Sequence, residues 1–211
     1  MTALVTFATL ALATGAFVGF VLGLIGGGGS ILAVPALVYL VGVPTIHAAI
    51  GTSAIAVALN AMGNLALRAR EGVIKWRCAF TFAASGIVGA LAGAELGKAL
   101  DGQKLLALFG LVMIAVGLSM ARPLRHPPRA EVRLTRESAR ELAPRLIGMG
   151  AIVGLLSGFF GIGGGFLIVP GLVWATRMPL RDAIGASLVA VAAFGLTTSA
   201  SYATSGHVDW R

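Results

Sequence analysis

From Met1 to Leu67 the chain contains no lysine, arginine, aspartate or glutamate. A water-soluble domain normally has charges at about a quarter of its positions, whereas an apolar run of about 20 residues suffices to cross a bilayer as a helix. In the whole chain only 11% of the residues are charged and 57% are hydrophobic. The apolar runs are continuous, unlike the alternating strands of a membrane barrel. The sequence therefore predicts an all-α integral membrane protein.

Two segments of the chain, one in each half, match one another closely. GAFVGFVLGLIGGGGSILAVP (15–35) aligns with GAIVGLLSGFFGIGGGFLIVP (150–170). After a one-residue slip, AIGTS (49–53) aligns with AIGAS (183–187). So many coincident glycines, together with a shared proline, indicate an internal duplication.

The duplication divides the chain into three parts. We expect a first transmembrane repeat over residues 1–121, a basic cytoplasmic linker over 122–145 and a second transmembrane repeat over 146–211. The linker carries seven arginines against three glutamates, and positive segments between apolar runs mark the cytoplasmic side. By the same rule residues 68–77 are predicted to be cytoplasmic and residues 94–104 external. Whether the two repeats are parallel or inverted stays open at this point.

Each repeat is predicted to contain a helix interrupted by glycines. Four consecutive glycines occupy positions 26–29, and each costs roughly 1 kcal/mol against alanine inside a helix. The apolar run that follows, over 31–42, is too short to cross a bilayer as a helix. We predict a spanning helix, a break, a half-helix and a full helix in each repeat. Such breaks survive in a membrane only where protein or a water-filled cavity surrounds them.

The two predicted breaks are candidate anion sites. The N-terminus of a half-helix presents free N–H groups and the positive end of a dipole, and glycine lets a ligand approach the backbone. We expect the two breaks to form halves of one site near mid-membrane, with matched serines from the following helices. The predicted substrate-binding residues are Gly27, Gly28, Gly29, Ser30, Ser53, Gly163, Gly164, Gly165 and Ser187.

Helix packing is the competing explanation for many of these small residues. Glycines spaced by four allow close contact between membrane helices, and we favour packing for the triplets so spaced. A serine hydroxyl inside a span often only bonds back to its own helix. The triplets are Gly15-Gly19-Gly23, Gly89-Gly93-Gly97 and Gly150-Gly154-Gly158.

Other classes of function find no support in the sequence. The apolar runs contain no carboxylate pair, no catalytic triad and no Cys or His cluster with metal-site spacing, and Cys78 is the single cysteine. No Lys-Ser/Thr follows the glycines, which excludes a phosphate-binding Walker loop. The net charge of +8 collects mainly between the apolar runs and so does not indicate nucleic acid. We predict no enzymatic activity, no cofactor and no metal.

The paired segments GLIGGGGSILAVP and GFFGIGGGFLIVP, followed by AIGTS and AIGAS, resemble the TauE/SafE family. These are bacterial inner-membrane proteins also described as sulfite exporters or the toluene-sulfonate uptake permease family. The resemblance runs over residues 10–121 and 145–211. It implies a multi-pass protein of the bacterial inner membrane that transports sulfur-containing anions, such as sulfite or organosulfonates, by a secondary mechanism.

The partners expected from this resemblance are a small anion and the lipid bilayer. The alternative is a non-transporting assembly or structural subunit whose glycines serve packing only.

The second repeat stops before counterparts of the last two spans of the first, so we predict that it is truncated. Without those spans we expect the backbone of residues 161–165 to lack protein cover. The chain would then self-associate as a homo-oligomer or be inactive.

Overall fold

A computed structural model describes residues 46–70, 72, 74–121, 136–161 and 164–204, together with residues 15, 16 and 20. Every regular element within these residues is an α-helix, which confirms the all-α prediction. The glycine run at 26–29 and most of the linker lie outside the described residues. The helices are α1 (Ile46–Ala69), α2 (Trp76–Lys98), α3 (Gly102–Ala121), α4 (Arg136–Phe160), α5 (Gly165–Thr176) and α6 (Leu180–Thr204).

Five of the described helices are long and apolar enough to cross a membrane, and α5 is the exception. Helix α5 has 12 residues, which corresponds to a length of about 18 Å. The connection between α2 and α3 is shorter than the predicted external segment at 94–104, because Glu95 and Lys98 belong to the last turn of α2. Only residues 99–101 separate the two helices.

Helices α2 and α4 run in the same direction with their backbones in contact. A Cβ atom built on Gly154 would overlap the carbonyl oxygen of Gly86, and one on Gly158 would overlap that of Ala90. Conversely, a Cβ atom on Gly93 would overlap the carbonyl oxygen of Leu155. The packing role predicted for the triplets at 89–97 and 150–158 is therefore confirmed, and these two triplets pack on each other. The triplet at 15–23 lies almost entirely outside the described residues.

Helix α6 runs parallel to α2 and is the most buried of the candidate spans. At one end of the pair, Lys75 Nζ lies 3.6 Å from Asp182 Oδ2. In the middle, the Phe194 ring occupies the space beside Gly86. At the other end, Lys98 Nζ donates a hydrogen bond of 3.0 Å to the carbonyl of Ser201.

Helix α1 runs antiparallel to α6. Gly195, in the second half of α6, packs on Ala54 and Ala58 in the middle part of α1. Gly185, near the start of α6, faces Ile74, which follows the end of α1. The starts of α2, α4 and α6 therefore lie at one end of the bundle, and the start of α1 lies at the other.

This arrangement permits a direct test of orientation by cysteine labelling. Arg70 and Asp101 are exposed and lie at opposite ends of α2. In a Cys78→Ala background, we expect a membrane-impermeant maleimide to label Asp101→Cys in intact cells. Arg70→Cys should be labelled only after the membrane is permeabilised, because positive segments stay in the cytoplasm. The opposite pattern would show that the bundle is inserted the other way round.

Candidate functional site

Helices α4 and α5 meet at a sharp corner, residues 161–164, whose described backbone suits glycine. Gly161 and Gly164 have φ angles of 64° and 69°, in the left-handed region that glycine enters without steric cost. A Cβ atom on Gly161 would overlap Ile50, and one on Gly164 would lie 2.5 Å from Ser157 Oγ. The positive φ angles and the lack of room for a Cβ atom therefore both require glycine at these two positions.

Beyond the α4–α5 corner, α5 turns back along α4. Gly164 lies against Ser157, and Gly171, two turns later, lies against Val153, where a Cβ atom would come within 2.9 Å of the valine side chain. The chain direction thus reverses between a full-length span and a short helix. The first turn of α5 consequently lies inside the bundle, and Gly164 and Gly165 are buried there.

The α4–α5 corner lies at the Lys98 end of the bundle. Gly97, in the last turn of α2, contacts the backbone of Phe159, two residues before the corner begins. Since α2 begins at Trp76, the corner is level with the end of that span. The described half of the predicted site therefore lies near the ends of α2 and α4, and its position near mid-membrane stays a prediction.

The first turn of α5 presents backbone donors. The N–H groups of Leu167 and Ile168 bond to the carbonyl of Gly164 at 2.9 and 3.0 Å. Helix geometry gives the preceding N–H groups, those of Gly165 and Phe166, no acceptor within the helix. The first turn also contains no acidic side chain that would offset the positive end of the helix dipole. Such a terminus favours an anion.

Aromatic and aliphatic side chains cover the α4–α5 corner. The Phe109 ring of α3 lies 5.5 Å from that of Phe160 and 5.8 Å from that of Phe166, measured between centroids. Phe109 and Phe160 share a buried cluster with Ile50 and Tyr202. The expectation that residues 161–165 would lack protein cover is therefore wrong for the described part of this segment. The contacts come from α1 and α3, which the sequence comparison could not place. Apolar cover also lowers the local dielectric and strengthens any hydrogen bond to a charged ligand.

The two predicted site serines bond back to their own helices. Ser53 Oγ donates to the carbonyl of Ile50 at 3.0 Å, and Ser187 Oγ donates to that of Ile184 at 2.8 Å. Ser53 lies one turn from Ile50, which contacts the corner, whereas Ser187 lies near the opposite end of the bundle. Of the predicted glycines, Gly164 and Gly165 lie at the corner. Gly27, Gly28, Gly29, Ser30 and Gly163 lie outside the described residues.

Ser157 is a polar residue at the corner that the sequence analysis missed. Its side chain is buried, with 1% of the residue exposed, and its Oγ has no hydrogen-bond partner among the described residues. The repeat alignment pairs Ser157 with Leu22 and Ser30 with Gly165. Because Ser30 was already a candidate beside the first run of glycines, a serine beside the second run could have been chosen in the same way. Each predicted break thus has one serine within a turn, on opposite sides of the glycines.

A charged cluster also lies at this end of the bundle. Lys98 Nζ donates to Glu95 Oε1 at 2.8 Å and lies 5.5 Å from the centroid of the Tyr202 ring. Ser201 Oγ donates to the same carboxylate oxygen at 3.1 Å. The lysine and the glutamate balance in charge, so the cluster holds α2 against α6 without adding net charge. Within the described ranges, no three His, Cys, Asp or Glu side chains are grouped so that they could hold a metal ion.

Comparisons with known proteins identify one family and several named relatives. The family model described as "Sulfite exporter TauE/SafE" matches residues 11–211. A "Probable membrane transporter protein" of Xylella fastidiosa (strain Temecula1) is 51% identical over 197 residues, covering 93% of this chain and 74% of that protein. The "Probable membrane transporter protein YunE" of Bacillus subtilis is 30% identical over 213 residues, covering 93% and 78%. A similarly named protein of Methanocaldococcus jannaschii is 30% identical over 198 residues, covering 89% and 70%. No solved structure matches the chain.

Proposed function

Because the chain belongs to the sulfite exporter TauE/SafE family, we propose that it is a secondary transporter of sulfur-containing anions such as sulfite or organosulfonates. Its relatives are named as membrane transporters, and its helices are those of a multi-pass membrane protein. The proposed location is the bacterial inner membrane. The proposed driving force is a gradient rather than a nucleotide, since the sequence contains no Walker loop.

The observation that carries the proposal is the buried N-terminus of α5 at a glycine corner. Free N–H groups and an unopposed helix dipole are used by transporters to bind anionic groups near helix breaks. The proposed site comprises Gly163, Gly164 and Gly165 at the corner, with residues 27–30 as their counterpart in the first repeat. Ser53 and Ser187 are proposed to line the paths beside the two breaks.

The helix directions support an inverted relation between the two proposed repeats. AIGTS ends directly before Ala54 in α1 and AIGAS lies near the start of α6, yet α1 and α6 run antiparallel. Inverted repeats are a common construction of secondary transporters. In this arrangement the contact of Gly161 with Ile50 would be matched by a contact of Gly26 with Ile184. Alternating access would then consist of one repeat moving against the other around the site between them.

A flux measurement tests the proposal against the alternative of a structural subunit. Purified protein in liposomes should take up radiolabelled sulfite in a saturable manner, without ATP, while protein-free liposomes should not. Excess unlabelled sulfite or sulfoacetate should compete, whereas chloride and acetate should compete poorly. If well-folded, reconstituted protein moves no sulfur-containing anion, the assembly role is the better description, and its glycines serve packing alone.

A further inference from the structure

Serine and threonine hydroxyls in the described helices normally bond to their own helix. In eight cases the hydroxyl donates to a carbonyl three or four residues earlier, which is the usual local bond of such residues in helices. Ser157 departs from this pattern, since its buried Oγ bonds to no described residue. The eight residues that follow the pattern are Ser53, Thr81, Ser85, Thr176, Ser187, Thr197, Ser199 and Thr204.

The Ser157 hydroxyl faces the N-terminus of α5. A Cβ atom on Gly164 would lie 2.5 Å from Ser157 Oγ and 2.7 Å from Ser157 Cβ, so the hydroxyl rests against the N-cap residue of that helix. The N–H groups of Gly165 and Phe166 follow directly. Two kinds of hydrogen-bond donor therefore lie close together at the α4–α5 corner. A buried polar group of this kind calls for a partner.

A second buried hydroxyl without a described partner lies on α6. Thr198 Oγ1 also has no hydrogen-bond partner in the described part of the chain. Thr198 lies on α6 between the contacts that this helix makes with Gly86 and Lys98 of α2. Ser157 lies beside the same stretch of α2, because the next residue of α4 meets Ala90. Thr198 is therefore a second buried hydroxyl that calls for a partner.

We infer that Ser157 is a direct ligand of the transported anion, an inference that rests on the proposed function. Its hydroxyl donates to one oxygen of the anion, and the N–H groups of Gly165 and Phe166 donate to the others. Three donors match the three oxygens of a sulfite ion or of a sulfonate group. Ser157 therefore favours such a group over chloride, which has no directional acceptors, and over a planar carboxylate, which has two oxygens.

The test compares Ser157→Ala with Ser199→Ala in the full chain in detergent. Ser199 is also buried, but its hydroxyl bonds to the carbonyl of Gly195. We expect Ser157→Ala to weaken sulfite binding by about 10- to 100-fold, as for loss of a hydrogen bond to a charged group. Ser199→Ala should bind as wild type does. Ser157→Cys, which keeps the volume but donates weakly, should give an intermediate affinity.

The melting temperature without ligand separates ligand binding from a structural role. Removing a hydroxyl that lacks a protein partner should leave the ligand-free Tm unchanged or raise it. A lower ligand-free Tm for Ser157→Ala, with sulfite affinity retained by the folded fraction, would assign the serine to folding and overturn the inference. Equal affinities of wild type and both Ser157 variants would overturn it while leaving the proposed function intact. Failure of wild type to bind either sulfite or sulfoacetate would overturn both.

Discussion

Gly154→Val is expected to prevent α2 and α4 from packing and to leave little folded protein. A Cβ atom at this position overlaps the carbonyl oxygen of Gly86 and lies 2.6 Å from its α-carbon. These are backbone atoms within a helix, so no side-chain rotation can relieve the overlap. The two helices must therefore separate along their whole contact. Their van der Waals packing is then lost, and between membrane helices this packing takes the place of the hydrophobic effect. The monodisperse fraction in size-exclusion chromatography in mild detergent should fall severalfold.

Gly148→Val is the matched control for this variant. It makes the same substitution on the same helix, at an exposed position where a built Cβ atom meets nothing within 4 Å. Its monodisperse fraction and Tm should stay close to those of wild type. If Gly154→Val behaves like Gly148→Val, the close approach of α2 and α4 is not needed for folding.

Gly164→Val is expected to abolish sulfite transport. Its φ of 69° is unfavourable for a β-branched residue, and its Cβ atom would press on Ser157 Oγ. Residues forced into this region cost on the order of 1–3 kcal/mol, so we expect a lower Tm as well. The first turn of α5 must then shift, so that its N–H groups no longer lie beside the Ser157 hydroxyl. Flux into proteoliposomes should fall to the level of protein-free controls.

Gly72→Val separates backbone strain from the role of the corner. Gly72 has the same φ of 69°, but a built Cβ atom there meets nothing within 4 Å. It lies between α1 and α2, away from the corner. This variant should lose some stability yet transport sulfite at nearly the wild-type rate. If Gly164→Val transports sulfite at the wild-type rate, the α4–α5 corner is not part of the transport path.

The helical class and the packing glycines could be predicted from the sequence because both depend on local pattern. Helix α2, Trp76–Lys98, coincides with a continuous apolar stretch of the sequence, since hydropathy decides which residues can enter the bilayer. Spacing by four identified Gly89 and Gly154 as packing positions. It could not reveal that these two faces meet each other, because a small-residue face is complementary to any other small-residue face.

The polar groups near the corner could not be predicted in the same way. Ser157 is distinguished from Ser53 only by what its hydroxyl contacts, and that depends on the reversal of the chain at Gly161. Glu95 and Lys98 were assigned to an external segment because charge normally marks the end of a span. Their contacts with Ser201 and Tyr202 depend on the register between α2 and α6, which hydropathy does not encode.

The contact between α2 and α4 also has a consequence for how the chain is made. The whole of α3 and the basic linker lie between Gly86 and Gly154 in the sequence, so α2 leaves the ribosome well before its partner. Until α4 follows it into the bilayer, the glycine face of α2 lacks the helix that covers it in the structure. The first half of the bundle therefore cannot reach its final packing on its own. Assembly has to wait until translation has passed Phe160, and the smallest unit that folds includes helices from both halves of the chain.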